Sequence, residues 1–138
     1  MKRPWAGALN IGEAGLVLRS DIQKHIRVIQ EELKFTYARI WNIFKLFLYN
    51  LETEDKQKIN FNKLDRVIDF LLENELKPYI ELAFKPSQLI TKEEVLLYSK
   101  EEEILFSSIQ QYEEAMQELS IHLVNRYGLE EVEQWRFE

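Results

Sequence analysis

Charged side chains inside otherwise aliphatic and aromatic segments are the first chemistry this sequence offers. Arg39 stands within Phe35–Ile43 (FTYARIWNI), Glu81 within Tyr79–Phe84 (YIELAF) and Arg136 within Val132–Glu138 (VEQWRFE). A charge carried into the body of a fold needs an opposite charge or water beside it. An internal ion pair, for example between Arg39 and Glu81, meets that need. Other reactive sets are sparse. Cys is absent, which excludes disulfides, cysteine catalysis and thiolate metal sites. His25 and His122 have no partner at metal-ligand spacing and read as surface or boundary residues. Glu113, Glu114 and Glu118 form a helix face without the His motif of a di-metal site. Gly7, Gly12, Gly15 and Gly128 compose neither a GxGxxG nor a Walker loop.

Hydrophobic spacing predicts the elements that carry these residues. Trp5–Ile11 (WAGALNI) is small, apolar and bounded by Pro4 and Gly12, the pattern of a buried strand. Ser20 and Asp21 offer an N-cap, and Ile22, Ile26, Ile29 and Leu33 then line one face of a helix ending near Lys34. Phe35–Ile43 is β-branched and aromatic, as strands are. Glu52–Lys58 is polar and predicts a loop. Asn60 or Asn62 caps a helix striped by Leu64, Val67, Ile68, Leu71 and Leu72, with Asn74 near its end and Lys77-Pro78 as its stop. Tyr79–Phe84 is the third strand. Ser87–Lys100 is a loop with a short helical turn, since Thr91 and Glu94 fit a capping box. A long helix from about Phe106 presents Ile109, Tyr112, Met116, Leu119 and Leu123, and Gly128 sits at its C′ position. Val132–Glu138 is the last strand. The order β-α-β-α-β-α-β implies an α/β fold with a parallel sheet.

Composition narrows the class further. The chain has 138 residues, of which 46% are hydrophobic and 30% charged, so it is neither a disordered tail nor a membrane protein. No run approaches the roughly 20 apolar residues that span a bilayer. Lys2 and Arg3 lead into Pro4 and Trp5 without the apolar core of a secretory signal, so the expected setting is cytoplasmic. Residues 1–69 carry 12 Lys and Arg against 9 Asp and Glu, while residues 70–138 carry 6 against 15. Neither part has a dense basic stripe, so nucleic acid is not an expected partner of this chain. The acidic runs Glu101–Glu103 and Glu130–Glu133 read as solvated faces.

At several points the sequence resembles the N-terminal half of a family 39 glycoside hydrolase, the β-xylosidase type of retaining (β/α)₈ barrel. Leu18–Leu33 (LRSDIQKHIRVIQEEL) and Phe35–Phe44 (FTYARIWNIF) resemble the family's first helix and second strand. Phe61–Pro86 (FNKLDRVIDFLLENELKPYIELAFKP) is the most specific match, and Asn125–Glu138 (NRYGLEEVEQWRFE) resembles the approach to the fourth strand. Similar domains are fused to AraC-type transcriptional regulators, and the WNIF form of the second strand resembles those. The fold this resemblance implies is a parallel (β/α) half-barrel, about four strands of a TIM-type (β/α)₈ fold. Such a barrel typically needs roughly 250 residues, so residues 1–138 are expected to form one partial domain, a fragment of a larger chain.

Active sites of such barrels lie at the C-terminal ends of the strands. That position selects Asn10 and Gly12, then Arg39, Trp41 and Asn42, then Glu81 and Phe84. Arg39 matches the family's second-strand arginine. The resemblance implies an electrostatic clamp on the nucleophile carboxylate or a sugar hydroxyl; the structural alternative is the internal pair with Glu81. Trp41 stands where true xylosidases have His, and it either stacks on a sugar or fills space. Glu81 matches the acidic residue of an ELGF-type third-strand segment, with Ala83 in place of Gly. Arg39, Trp41, Asn42, Glu81 and Phe84 are the substrate-binding candidates.

In the family the strand matching Trp135–Glu138 continues into a Trp-Asn-Glu-Pro segment bearing the acid/base, and the nucleophile follows much later. A retaining mechanism needs both carboxyl groups about 5–5.5 Å apart. Neither family carboxylate lies within these 138 residues, so no catalytic residue and no cofactor is assigned and hydrolysis by this chain is not expected. The expected role is a sugar-sensing or scaffold piece of an AraC-type regulator; the alternative is the front half of an active β-xylosidase. Four strands leave two open edges, so the isolated chain is expected to form a homodimer.

Overall fold

The computed structural model describes residues 7–49, 58–82 and 109–138. The chain divides into a first unit, Met1–Ala83 with Glu130–Glu138, and a second unit, Phe84–Leu129. In chain order the elements begin with β1 (Ala8–Glu13), a 3₁₀ turn (Ala14–Leu18), α1 (Ser20–Leu33), β2 (Tyr37–Trp41) and α2 (Phe44–Phe47). They continue with β3 (Leu48–Tyr49), β4 (Lys58–Ile59), α3 (Asn62–Glu73), β5 (Lys77–Ile80), α4 (Ile109–Tyr127), α5 (Leu129–Val132) and β6 (Arg136–Phe137).

The first unit carries a sheet in the order β1-β2-β5-β6, and its strands are parallel, as the β-α alternation predicts. Alternation along β2 buries Ala38 and Ile40 and leaves Tyr37, Arg39 and Trp41 half-buried on the other face. Leu64, Val67, Ile68 and Leu71 of α3 are fully buried, and α3 packs on β5, α2 and the 3₁₀ turn. The buried face is thus the one under the helices. The other face keeps its polar groups.

All four predicted strands differ from their sequence reading: the third, expected at Tyr79–Phe84, is β5 at Lys77–Ile80, and the other three differ for local reasons. β1 begins at Ala8 and runs on to Glu13, with Trp5 and Ala6 outside the described residues. It is not a buried run: Ala8, Asn10 and Glu13 are exposed, and among the described residues β1 is bonded to β2 alone. β2 stops at Trp41 rather than Ile43, because Asn42 takes a left-handed conformation, φ 57°, which Asn tolerates better than most residues. The predicted Val132–Glu138 strand shrinks to Arg136–Phe137, since Leu129–Val132 is a helical turn. Its end is closed by Gln134 N–H donating to Glu131 O at 3.1 Å and Trp135 N–H to Val132 O at 3.1 Å.

β5 spans Lys77–Ile80, so Pro78 lies inside a strand with neighbours on both sides. The hydrogen-bond direction explains how it is tolerated. Lys77 N–H donates to Thr36 O and Glu81 N–H to Ile40 O, so odd positions face β2. Leu82 N–H donates to Glu138 O, so even positions face β6. Pairing with β6 begins only at Tyr79, and the donor that Pro78 lacks would point where β6 has not started.

Helix ends also depart from simple motifs. At α1 neither Ser20 nor Asp21 caps; Arg19 holds the cap position, and Asp21 pairs with Arg19 at 2.6 Å. At α3 the Asn60 side chain accepts from Asn62 N–H at 2.9 Å, with Phe61 at the cap. Its C-terminus is closed before Lys77-Pro78. Glu75, at φ 59°, donates its N–H to Leu72 O, and Leu76 donates to Leu71 O at 2.9 Å, a Schellman closure with Leu71 and Leu76 both buried. The α1–β2 turn is held by Gln30, a buried side chain whose Nε2 donates to Phe35 O at 2.9 Å and whose Oε1 accepts from Phe35 N–H at 2.8 Å.

Between β2 and α3 the sequence predicts a loop at Glu52–Lys58 and no further element. The structure adds α2 and an antiparallel β3–β4 pair that takes in Lys58; residues 52–57 lie outside the described residues. Phe44 and Phe47 are buried there, and Phe47 stacks on Phe61 at 5.0 Å between ring centres.

In the second unit α4 buries Ala115, Leu119 and Leu123, while Met116 is half-buried and Ile109 is 79% exposed. Glu113, Glu114 and Glu118 are exposed, as a solvated face requires. Gly128 takes φ 82° and donates to Val124 O at 2.9 Å, which fits the predicted C′ glycine. Phe106, the Ser87–Lys100 segment and Glu101–Glu103 lie outside the described residues. Among the described residues no helix is long and apolar enough to cross a membrane.

Gln30 generates a stability prediction. Gln30→Ala leaves the Phe35 N–H and C=O without these partners and should cost about 1–3 kcal/mol in chemical denaturation. A loss below a few tenths would show that the turn does not depend on this side chain.

Candidate functional site

The parallel register assembles the polar face of the sheet. Arg39 on β2 stands opposite Asn10 on β1 and Tyr79 on β5, and Tyr79 stands opposite Arg136 on β6. One step towards the C-terminal ends, Glu81 N–H bonds Ile40 O, while Glu138 N–H bonds Ile80 O and its carbonyl accepts from Leu82 N–H. These backbone bonds bring Glu81 and Glu138 within reach of the Arg39 guanidinium.

Arg39 Nη2 donates to Glu81 Oε2 at 2.6 Å, and Arg39 Nε donates to Glu138 Oε2 at 2.9 Å. Glu81 is only 8% exposed, so its charge depends on this guanidinium. The hydrogen bond to Glu138 is the main reason the Arg39 pKa lies above the usual arginine value; burial opposes it, and the charges of Glu138 and Glu81 add to it. Aromatic rings complete the surroundings. The Arg39 guanidinium carbon lies 5.6 Å from the Trp41 ring centre and 5.9 Å from that of Tyr79. Arg136 lies 4.2 Å from the Tyr37 ring centre and 6.0 Å from that of Tyr79. Cations and rings therefore alternate across three strands.

Trp41 is half-buried and rests by its benzo edge on Gly12. A Cβ at Gly12 would lie 3.4 Å from Trp41 Cζ2, and the φ of 105° there is one that side chains rarely adopt. Gly12 thus has two reasons to be glycine, and Trp41 fills the space above it.

Of the residues singled out in the sequence, Arg39, Trp41 and Glu81 come together. Asn42 forms the left-handed turn after β2, and Phe84 lies outside the described residues. The pairing of Arg39 with Glu81 is present, and it is joined by Glu138, which sequence reasoning passed over. The signal for it was the strand period, since Glu138 follows Arg136 by two. Among the described residues no group of His, Asp and Glu converges as a metal site.

Glu131 belongs to an acidic run that reads as solvated, yet it is bound on two sides. Lys77 Nζ lies 2.7 Å from both of its oxygens, and Trp135 Nε1 donates to Oε1 at 2.9 Å. Trp135 is itself buried. This clamp ties the start of β5 to the residues before β6, and so supports the strand that delivers Glu138. Burial pushes the Glu131 carboxyl up, but the bonds from Lys77 and Trp135 and the ammonium charge outweigh it and hold its pKa below the ordinary 4.5.

Two predictions follow from these clusters. Arg39→Met should cost about 3 kcal/mol by stranding Glu81, and adding Glu81→Leu should recover most of it, read by urea denaturation. Equal losses in the single and double variants would refute the pairing. Because the folded pKa of Glu131 lies below its unfolded value, its contribution is present above pH 4.5 and is lost as pH falls through the folded value. Glu131→Gln should therefore lower stability by about 1 kcal/mol at neutral pH and flatten the acid limb of the stability profile. An unchanged acid limb would argue against it.

Comparison with known proteins agrees with this architecture. Residues 1–138 match the sequence profile of glycosyl hydrolases family 39. The chain is 32% identical over 136 residues to a β-xylosidase of Caldicellulosiruptor saccharolyticus, covering 97% of this chain and 28% of that protein. It is 28% identical over 142 residues to a β-xylosidase of Geobacillus stearothermophilus, covering 99% of this chain and 28% of that protein. The crystal structure of the family 39 enzyme from Xanthomonas axonopodis pv. citri superposes with a TM-score of 0.72 at 26% identity, over 99% of this chain and 27% of that one. The chain spans little more than a quarter of the length of the relatives it matches. Its four parallel strands are part of a TIM-type (β/α) barrel. A match over every residue, on a sheet of the order such a barrel requires, makes this chain a member of glycosyl hydrolase family 39.

Proposed function

We propose that these 138 residues form a non-catalytic, glycosidase-like portion of a cytoplasmic AraC-type transcriptional regulator, one partial barrel domain that binds a sugar on its polar face. The observation that carries this reading is the engagement of Arg39 by both Glu81 and Glu138. Both carboxylates are turned onto one guanidinium, an arrangement that builds a fixed polar surface. Trp41, in the position of the family's His, supplies an aromatic platform beside it, with Asn42 at the adjoining turn and Phe84 further along the chain from Glu81. Hydroxyl groups of a pentose would meet the charged groups, and its apolar face would meet the indole. Neither nucleic acid nor membrane is bound through this chain in this reading. The 138 residues contain no Trp-Asn-Glu-Pro segment, and the reading assigns them no hydrolytic step.

A second reading is the front portion of an active retaining β-xylosidase. The names of both relatives above favour it, since each is a β-xylosidase. The sequence encoded on either side separates the two: a helix-turn-helix domain supports the regulator, and a complete barrel with both glutamates supports the enzyme.

Calorimetry with xylose and xylobiose tests the sugar-binding role directly. Heat of binding is expected and should be lost in Trp41→Ala, with no release of nitrophenol from nitrophenyl β-xyloside. Absence of heat with every pentoside would reduce the role to scaffold. Turnover of the nitrophenyl substrate by the full-length parent would overturn the non-catalytic reading.

A further inference from the structure

We infer that Gly12 is the positioning residue of the Trp41 platform: the side chain it lacks leaves the indole seated against β1 and so sets the ring's place beside the Arg39 ion cluster. The inference rests on the sugar-binding reading above and adds the residue that fixes where a sugar would lie. It starts from the β1–β2 register. Asn10 stands opposite Arg39, but Gly12 stands opposite Ile40 and Glu13 opposite Trp41, so Ile11 is an extra residue in β1. A bulge of this kind bends its strand and re-aims what the strand carries. Here it turns the side-chain position of Gly12 towards the benzo end of Trp41. The φ of 105° at the bulge is one that glycine takes at little cost.

Two constraints meet at Gly12, and they can be separated. The first is the backbone, because any side chain is strained at this φ. The second is space. A Cβ would lie 3.4 Å from Trp41 Cζ2, 3.5 Å from Trp41 Cη2 and 3.9 Å from Leu16 Cδ1, all at ordinary contact distance. One methyl therefore fits, and a longer side chain has to compete with the indole and Leu16 for the same volume. The indole is also tied to the charged groups. Its ring centre lies 5.6 Å from the Arg39 guanidinium carbon, and that guanidinium is held by Glu81 at 2.6 Å and by Glu138 at 2.9 Å. Gly12 and Arg39 are thus two of the contacts that locate the ring. A sugar that meets the ring with its apolar face and the ion cluster with its hydroxyls depends on the spacing between them.

Titration calorimetry of the full-length parent with xylose tests this, and xylose has no glycosidic bond to cleave, so the measurement holds for a regulator and for an enzyme alike. Gly12→Ala carries the backbone strain without reaching past the methyl; it should bind xylose within about twofold of the unsubstituted protein while unfolding at lower urea. Gly12→Leu carries the same strain and also moves the ring, so it should weaken xylose about fivefold or more, the share of one aromatic contact. Trp41→Phe keeps an aromatic ring but lacks the benzo atoms seated on Gly12. It should weaken xylose by a similar factor with the backbone untouched, and it carries the test if circular dichroism shows Gly12→Leu unfolded. Equal losses in the Ala and Leu variants would assign the effect to strain and overturn the inference, as would full affinity in Trp41→Phe or in a folded Gly12→Leu. Absence of heat from the unsubstituted protein would instead overturn the sugar-binding reading, and this inference with it.

Discussion

A guanidinium placed on the polar face of a parallel sheet, next to an almost buried carboxylate, imposes a condition on everything around it. Arg39 must be met by two carboxylates, and the buried Glu81 must keep its partner. Three strands meet that condition together. β2 supplies the arginine, the end of β5 supplies Glu81, and the residue after β6 supplies Glu138. Any slip of one residue in the parallel register would turn one of these groups to the helix-covered face, where Ala38, Ile40 and Ile80 are packed. The ion cluster and the hydrophobic layer therefore specify the same alignment from opposite sides of the sheet.

The rest of the first unit serves that alignment. The Schellman closure after α3 sets where β5 begins, and the Gln30 clamp sets where β2 begins. Pro78 is compatible with an inner strand only because β6 starts one residue higher. The Lys77–Glu131–Trp135 contacts hold the segment leading into β6, so a short strand is kept in place by side chains below it. A strand as brief as β6 has few backbone bonds of its own, and the clamp supplies what the ladder does not.

Membership of family 39 rests on the whole chain, whereas function rests on the polar face. On that face the cations Arg39 and Arg136 are held by carboxylates and rings of the same sheet. Glu81 and Glu138 are both hydrogen-bond partners of Arg39.

Local pattern was legible in the sequence wherever one period or one residue type decides the outcome. The stripe of α3, the glycine after α4, the parallel sheet, and the opposition of Arg39 and Glu81 follow from spacing, because burial acts on every turn or every second residue in the same way; of the α1 stripe only Ile26 is buried, and Leu33 is exposed. The family resemblance came from contiguous segments, which spacing preserves. What depends on residues distant in the chain was not legible. The third member of the ion cluster, the bonding of Glu131, the exposure of β1 as an edge and the tolerance of Pro78 each depend on which strand lies alongside and in what register. Sequence determined the main helices and strands and the buried face of those with a clear period; only the tertiary structure decided which charges meet, because a pairing across strands is set by alignment in space and leaves no period along the chain.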